Sequence, residues 1–127
     1  MPVSKNRDLQ SLIDIEQAAN KAAQFLKSVD GKEAFVKDEK TQSAVVFQLL
    51  IIGEATKRLS RKLRQQYPDL PWSLMAGMRD NMIHEYDDID VEQVWKTVKS
   101  DIPNLLFALK PVKQGVQQLR LQLEDES

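Results

Sequence analysis

Apolar residues in the first third of the chain recur at helical intervals. Leu12, Ile15, Ala19, Ala22, Leu26 and Val29 follow one another at steps of three and four, and Ala18 and Phe25 widen the stripe. This is the pattern of a helix packed in a bundle, and Gly31 supplies its stop. A second helix is predicted from Asp38 or Thr41 to about Gln65, with Val45, Leu49, Ile52, Thr56, Leu59 and Leu63 as its stripe. Its first half, Ala44 to Ile52, is apolar on almost every face except at Gln48. A helix of that kind is buried on more than one side, and in a small bundle another subunit is the simplest source of the second burial. Gly53 costs this helix about 1 kcal/mol relative to alanine, and close approach of a neighbouring helix is the expected reason for it.

Two prolines mark Tyr67-Pro68-Asp69-Leu70-Pro71-Trp72 as a loop, and Pro71 suits the first turn of a third, shorter helix. That helix is predicted to carry Trp72, Met75, Met78 and Met82 on one face, to contain Arg79 and to bring His84 near its end. Asp87-Asp88-Ile89-Asp90 breaks it. Asp90 with Gln93 forms a capping-box-like start to a fourth helix bearing Val91, Val94, Trp95, Val98, Ile102, Leu105 and Leu106. Pro103 should kink this helix and Pro111 should end it. Val112 to Leu123 is expected to form a last, amphipathic and fraying helix, followed by a solvated tail, Glu124-Asp125-Glu126-Ser127. The fold class is therefore all-α: an antiparallel bundle of four to five helices in a single domain over residues 1–127. Its core is expected over about residues 8–110, with a C-terminal helix and tail over 111–127.

Composition narrows the class. With 42% apolar and 29% charged residues, the chain has the balance of a globular protein rather than a disordered one. Cysteine is absent, which excludes disulfides, a thiolate nucleophile and cysteine-based metal sites, and suits a reducing cytoplasm. The N-terminal segment lacks the apolar core of a signal peptide, and the longest apolar run, Leu49-Leu50-Ile51-Ile52, is too short to span a bilayer. A soluble, cytoplasmic domain without membrane contact is expected. A net charge of −1 and a pI near 5.8 do not advertise nucleic acid. The charge is clustered, however. Lys57-Arg58-Leu59-Ser60-Arg61-Lys62-Leu63-Arg64 holds five basic residues in eight, with Lys57, Arg61 and Arg64 on one helical face. Such a strip either tracks phosphates or complements the negative end of a helix dipole. Glu85, Asp87, Asp88, Asp90 and Glu92 form an acidic counterpart, which is either a docking surface for a basic partner or solvated charge.

The chemistry concentrates around the only histidine. His84 lies in Met78-Arg79-Asp80-Asn81-Met82-Ile83-His84-Glu85-Tyr86, which reads as Arg-x4-His-x-Tyr. Arg79 can hold a phosphate bidentately, and His84 can move a proton near neutral pH, with Glu85, Asp87 and Asp88 favouring its charged form. One histidine excludes a His pair for zinc and a two-histidine relay, and no Ser-His-Asp triad of recognisable spacing is present. Taken singly, each residue also has a structural reading. His84 could complement a helix end, Arg79 could pair with Asp80 or Glu85, and Tyr86 could be a half-buried aromatic. On a continuous helix Arg79 and His84 would point about 140° apart. Either the helix unwinds before His84, or a second copy across a twofold axis completes the site.

With these residues in view, the chain resembles HEPN-domain proteins of the HepT type, the toxin half of HepT–MntA toxin–antitoxin systems. The likeness rests on Ile51-Ile52-Gly53-Glu54-Ala55, on the Tyr67 to Trp72 loop, on Gly77 through Tyr86 and on Ile89-Asp90-Val91-Glu92-Gln93-Val94-Trp95, in that order. The resemblance implies a helical homodimer acting as a metal-independent endoribonuclease with no cofactor, its two motifs facing each other across a composite cleft. Arg79 and His84 would be catalytic, the first on the scissile phosphate and the second as general acid or base at the 2′-hydroxyl or leaving oxygen. On this reading Asp80 and Tyr86, together with Lys57 and Arg61 of the basic strip, would bind the RNA substrate. The partner MntA, a minimal nucleotidyltransferase, would silence the toxin by AMPylation of Tyr86 in a type VII system. Asp80 stands where many members have asparagine, and pairing with Arg79 would reduce phosphate affinity. That departure motivates an alternative: a non-catalytic helical module that binds a nucleotidyltransferase or nucleotide.

Overall fold

Among the described residues, three long helical runs carry the fold, and short helices fill the corners between them. The structure, a computed structural model, describes the backbone of residues 2–78, 80, 83–84 and 88–126, and the side chains of residues 7–78, 80 and 88–125. In chain order the elements are α1 (Pro2–Lys27), α2 (Gly31–Val36), α3 (Glu39–Arg58), α4 (Arg61–Gln66), α5 (Trp72–Ala76), β1 (Ile83–His84), β2 (Asp88–Ile89), α6 (Val91–Lys96) and α7 (Ile102–Glu126). A π-helical segment, Thr97–Asp101, joins α6 to α7. The class is all-α, as expected, with one two-residue antiparallel strand pair added to it.

The apolar stripes become the core. Leu12, Ile15, Ala18, Ala19, Ala22 and Leu26 of α1 are buried, as are Val45, Leu49, Ile52 and Thr56 of α3. Helix α1 packs along both α3 and α7. A half-buried ion pair from Lys113 to Glu16 (2.8 Å) ties α7 to α1. The apolar first half of α3 is covered within this chain, because α2, α5 and α6 pack on the sides that α1 leaves open. Only Phe47, at 57% exposure, projects from that stretch among its large apolar residues. Much of the burial expected from a second subunit is thus supplied by the chain's own short helices.

Besides the end of α5, four features differ from the sequence expectation. Helix α1 ends at Lys27, and Gly31, at φ +86°, is not simply a stop but opens a two-turn helix, α2. It buries Phe35 against Trp95 (ring centroids 5.7 Å apart), and Gln42 caps its end by donating to the carbonyls of Phe35 and Val36 (2.9 Å each). The long second helix is in fact two, α3 and α4, with Leu59 extended between them. Helix α3 itself starts as expected at Asp38. Thr41 donates to that carboxylate through its backbone N–H (3.0 Å) and its hydroxyl (2.7 Å), which holds the Asp38 carboxyl below its usual range.

The third and fourth differences concern proline. Asp90 caps α6 through Gln93 N–H (3.1 Å) as expected, but the strain of Pro103 is taken up by the wider π turn before it. Pro111 does not end α7, which runs to Glu126. Its ring faces outward, beside the exposed Phe107, so the carbonyl that loses its helical donor lies on the solvent side. Val98, Ile102, Leu105, Leu109, Val112 and Val116 are then one unbroken buried stripe.

Candidate functional site

Helix α5 delivers the chain to the Arg-x4-His-x-Tyr stretch, and its position is fixed from both ends. At its start the indole Nε1 of Trp72 donates to the Tyr67 carbonyl (2.8 Å), and Trp72 N–H donates to Leu70 (2.9 Å). At its end α5 lies on α3 at Gly53, where a Cβ would sit 3.0 Å from the Ala76 carbonyl oxygen and 3.5 Å from that of Met75. The expectation of close helix approach at Gly53 is met. Met75 and Met78 are each 1% exposed and anchor the segment in the core.

The helix stops far earlier than its methionine spacing suggests. Gly77 N–H bonds to Ser73 and Met78 N–H to Met75, a tightening turn that closes α5 at Ala76. His84 is therefore not at the end of α5. His84 belongs instead to strand β1, whose Ile83 and His84 pair with Ile89 and Asp88 of β2. The backbone of His84 is thus extended rather than helical. Arg79, Met82, Glu85, Tyr86 and Asp87 lie outside the described residues, as does the side chain of His84. Asp80 is an exposed turn residue with an interaction partner.

The acidic cluster resolves into distinct roles. Asp90 is a helix cap, Glu92 pairs with Lys32, and Asp88 is exposed at the backbone position opposite His84. The basic cluster is likewise divided. The break at Leu59 removes the continuous face expected for Lys57, Arg61 and Arg64. Lys57 pairs with Glu54 (3.7 Å) and Arg58 with Asp14 (3.4 Å), both near the end of α3. Arg61 and Arg64, on α4, line a concavity of about 580 Å³ together with Gln65, Pro68 and Trp72.

The break itself is built by Asp8. This residue is only 6% exposed, and its carboxylate accepts from Ser60 N–H (2.8 Å) and Ser60 hydroxyl (2.7 Å). Ser60 Oγ in turn accepts from Leu63 N–H (3.1 Å), capping α4. An Asp8→Asn variant keeps the size and one accepting oxygen but loses a charge-assisted bond. It is expected to lower stability by about 1 kcal/mol, read as a fall of roughly 3–5 °C in Tm.

Two other hollows are present among the described residues. An apolar groove of about 260 Å³ runs between α5 and α7, lined by Leu74, Met75, Met78 and Leu105 among others. A polar one of about 470 Å³ includes Lys32, Trp95, Lys96 and Lys99, with the Lys99 ammonium 5.1 Å from the Trp95 ring centroid. The described residues contain no group of three or more His, Asp or Glu side chains suited to a metal ion. Among them, no helix is long and apolar enough to cross a membrane.

Comparison with known proteins gives a consistent family. A family model described as HepT-like, ribonuclease HepT-like, matches residues 15–112. A "probable ribonuclease HepT" of Thermococcus cleftensis is 44% identical over 94 residues, 74% of this chain and 84% of the relative. A protein named as an RNase in Methanocaldococcus jannaschii is 38% identical over 100 residues, 78% of this chain and 91% of the relative. Another so named in Caldanaerobacter subterraneus is 42% identical over 82 residues, 65% of this chain and 73% of the relative. No solved structure matches the chain significantly.

Proposed function

The chain belongs to the HepT-like ribonuclease family, and from that premise we propose that it is a metal-independent endoribonuclease acting as a cytoplasmic homodimer. The observation that carries the reading is the family match across residues 15–112, which spans the whole Arg79, His84 and Tyr86 stretch. Its support in the backbone is that α5 ends at Ala76 and His84 lies on β1, so the 140° offset of a continuous helix does not govern His84.

In the proposed reaction His84 accepts the proton of a ribose 2′-hydroxyl. The 2′-oxygen attacks the adjacent phosphorus, the P–O5′ bond breaks and the 5′-oxygen takes a proton from a His84 imidazolium, so the products are a 2′,3′-cyclic phosphate and a free 5′-hydroxyl. Arg79 holds the phosphate and stabilises the charge that develops on it. Asp80 and Tyr86 line the substrate site, and a second copy completes the cleft. The test is cleavage of single-stranded RNA by purified, unmodified protein in EDTA, which is expected to proceed. Absence of both cleavage and growth inhibition would favour the non-catalytic module instead.

The same reading makes the protein the toxin of a pair whose partner is a minimal nucleotidyltransferase. AMP on Tyr86 would place a phosphate and its negative charge beside Arg79, opposing RNA by repulsion and bulk. Incubation with ATP and the cognate transferase is expected to add AMP that maps to Tyr86 and to stop cleavage. A Tyr86→Phe variant should escape that inactivation, and adducts confined to other residues would count against the regulatory assignment.

A further inference from the structure

We propose that Arg61, Arg64 and Gln65, on the floor made by Pro68 and Trp72, form a subsite that grips the backbone phosphates of single-stranded RNA beside the cleavage position. The proposal rests on the ribonuclease reading and adds to it the residues that position the strand.

Three observations carry it. The first is the sorting of the basic cluster. Lys57 and Arg58 each lie beside a carboxylate, Glu54 and Asp14, whereas Arg61, Lys62 and Arg64 have no carboxylate partner among the described residues. Two of these three uncompensated cations, Arg61 and Arg64, face one concavity. The second is an outstanding hydrogen bond. Arg64 Nε is buried and has no acceptor among the described residues, a cost that an anionic oxygen entering the concavity would relieve after a small turn of the guanidinium. Guanidinium forks match phosphate oxygens bidentately, and the Gln65 amide adds a neutral donor.

The third observation is placement. Trp72 forms part of the floor and is also the first residue of α5, whose indole is locked by its bond to Tyr67. The five residues of α5 rise only about 7.5 Å, and Arg79 follows three residues after its end. Only one short helix therefore separates the concavity from the chain that leads into the catalytic stretch. The concavity also explains how a weakly acidic protein could hold RNA, since the phosphate contacts need only a local excess of cations.

The apolar groove and the Lys99–Trp95 hollow carry less. Nothing in the structure shows what covers the first, and in the second Lys32 and Lys99 already have partners in Glu92 and Trp95.

The test uses the full-length protein in two arms. In the first, a His84→Ala background prevents cleavage while anisotropy reports binding of a fluorescein-labelled single-stranded RNA 20-mer across a salt series. Arg61→Gln alone, and with Arg64→Gln, are compared with Lys27→Gln, a control about 28 Å along α1 from Asp8. Removing one cation from a phosphate should lower the salt slope by about 0.7, so the double variant should fall by about 1.4 and bind at least tenfold more weakly, while the control is unchanged. In the second arm, cleavage by the active protein should show a raised KM with kcat little altered. Arg61 is exposed and its single variant is not expected to disturb the fold, which thermal melting checks. An unchanged salt slope and KM in the variants of an RNA-cleaving parent would overturn the subsite and leave the ribonuclease reading standing. Failure of the parent itself to bind or cleave RNA would overturn both.

Discussion

Replacing His84 with alanine is expected to reduce RNA cleavage in EDTA by about 10²–10⁴-fold, the contribution of a positioned general acid or base. The fold should survive, because the described contacts on either side of the segment are made by other groups. Met78 is buried just before the motif, Asp90 caps α6 just after it, and the strand pair between them is made by backbone hydrogen bonds. Arg79→Ala should cost about 10²–10³-fold if the guanidinium meets the charge developing on phosphorus. Arg79→Lys should recover only part of that loss, since an ammonium carries the charge without the bidentate fork. Initial rates on a defined oligonucleotide, with circular dichroism and melting curves for each variant, separate chemistry from folding. Undiminished cleavage by both alanine variants would remove these residues from the reaction. The chain has no second histidine, so no other imidazole could stand in for His84.

The long stripes were legible because helix periodicity is a local property. Leu12 to Leu26 and Val45 to Thr56 are buried as their spacing requires. What could not be read was settled by contacts distant in sequence. The break between α3 and α4 depends on Asp8 reaching Ser60, and nothing near Ser60 announces that carboxylate. The end of α5 was hidden by Met78, which stays in the core although it sits in a turn, so the methionine stripe continues after the helix has stopped. Pro111 misled for a different reason. Proline breaks a helix when its orphaned carbonyl is buried, and here the affected face is open to solvent. In the candidate site the residue types were legible and their geometry was not. Whether Arg79 and His84 share a helix depends on Gly77 and on the pairing of Ile83–His84 with Asp88–Ile89, both of which override the local pattern.

Gly53→Val should test whether the docking of α5 governs the site. A valine replaces a glycine that costs its helix about 1 kcal/mol, so in an open position the change would stabilise α3. Here the added Cβ would meet the Ala76 carbonyl at 3.0 Å, and the two γ-methyls would press further on α5. The obstacle is backbone, which cannot swing aside as a side chain can. Overpacking of this kind costs about 1–3 kcal/mol, and the fully packed surroundings of Met75 place it towards the upper end. Because Ala76 is the last residue of α5, any retreat moves the point from which the chain sets out towards Arg79. Cleavage should therefore fall even at temperatures where the variant remains folded, with the loss in kcat. Gly115→Ala is the matched control. Its Cβ would meet only the hydroxyl of Tyr67, at 2.7 Å, and that ring can tilt away. Gly115→Ala is expected to change stability by less than about 1 kcal/mol, because the gain in helix propensity offsets the small displacement, and to leave kcat as it is. Equal activity in folded Gly53→Val and wild type would show that the catalytic stretch does not depend on where α5 rests.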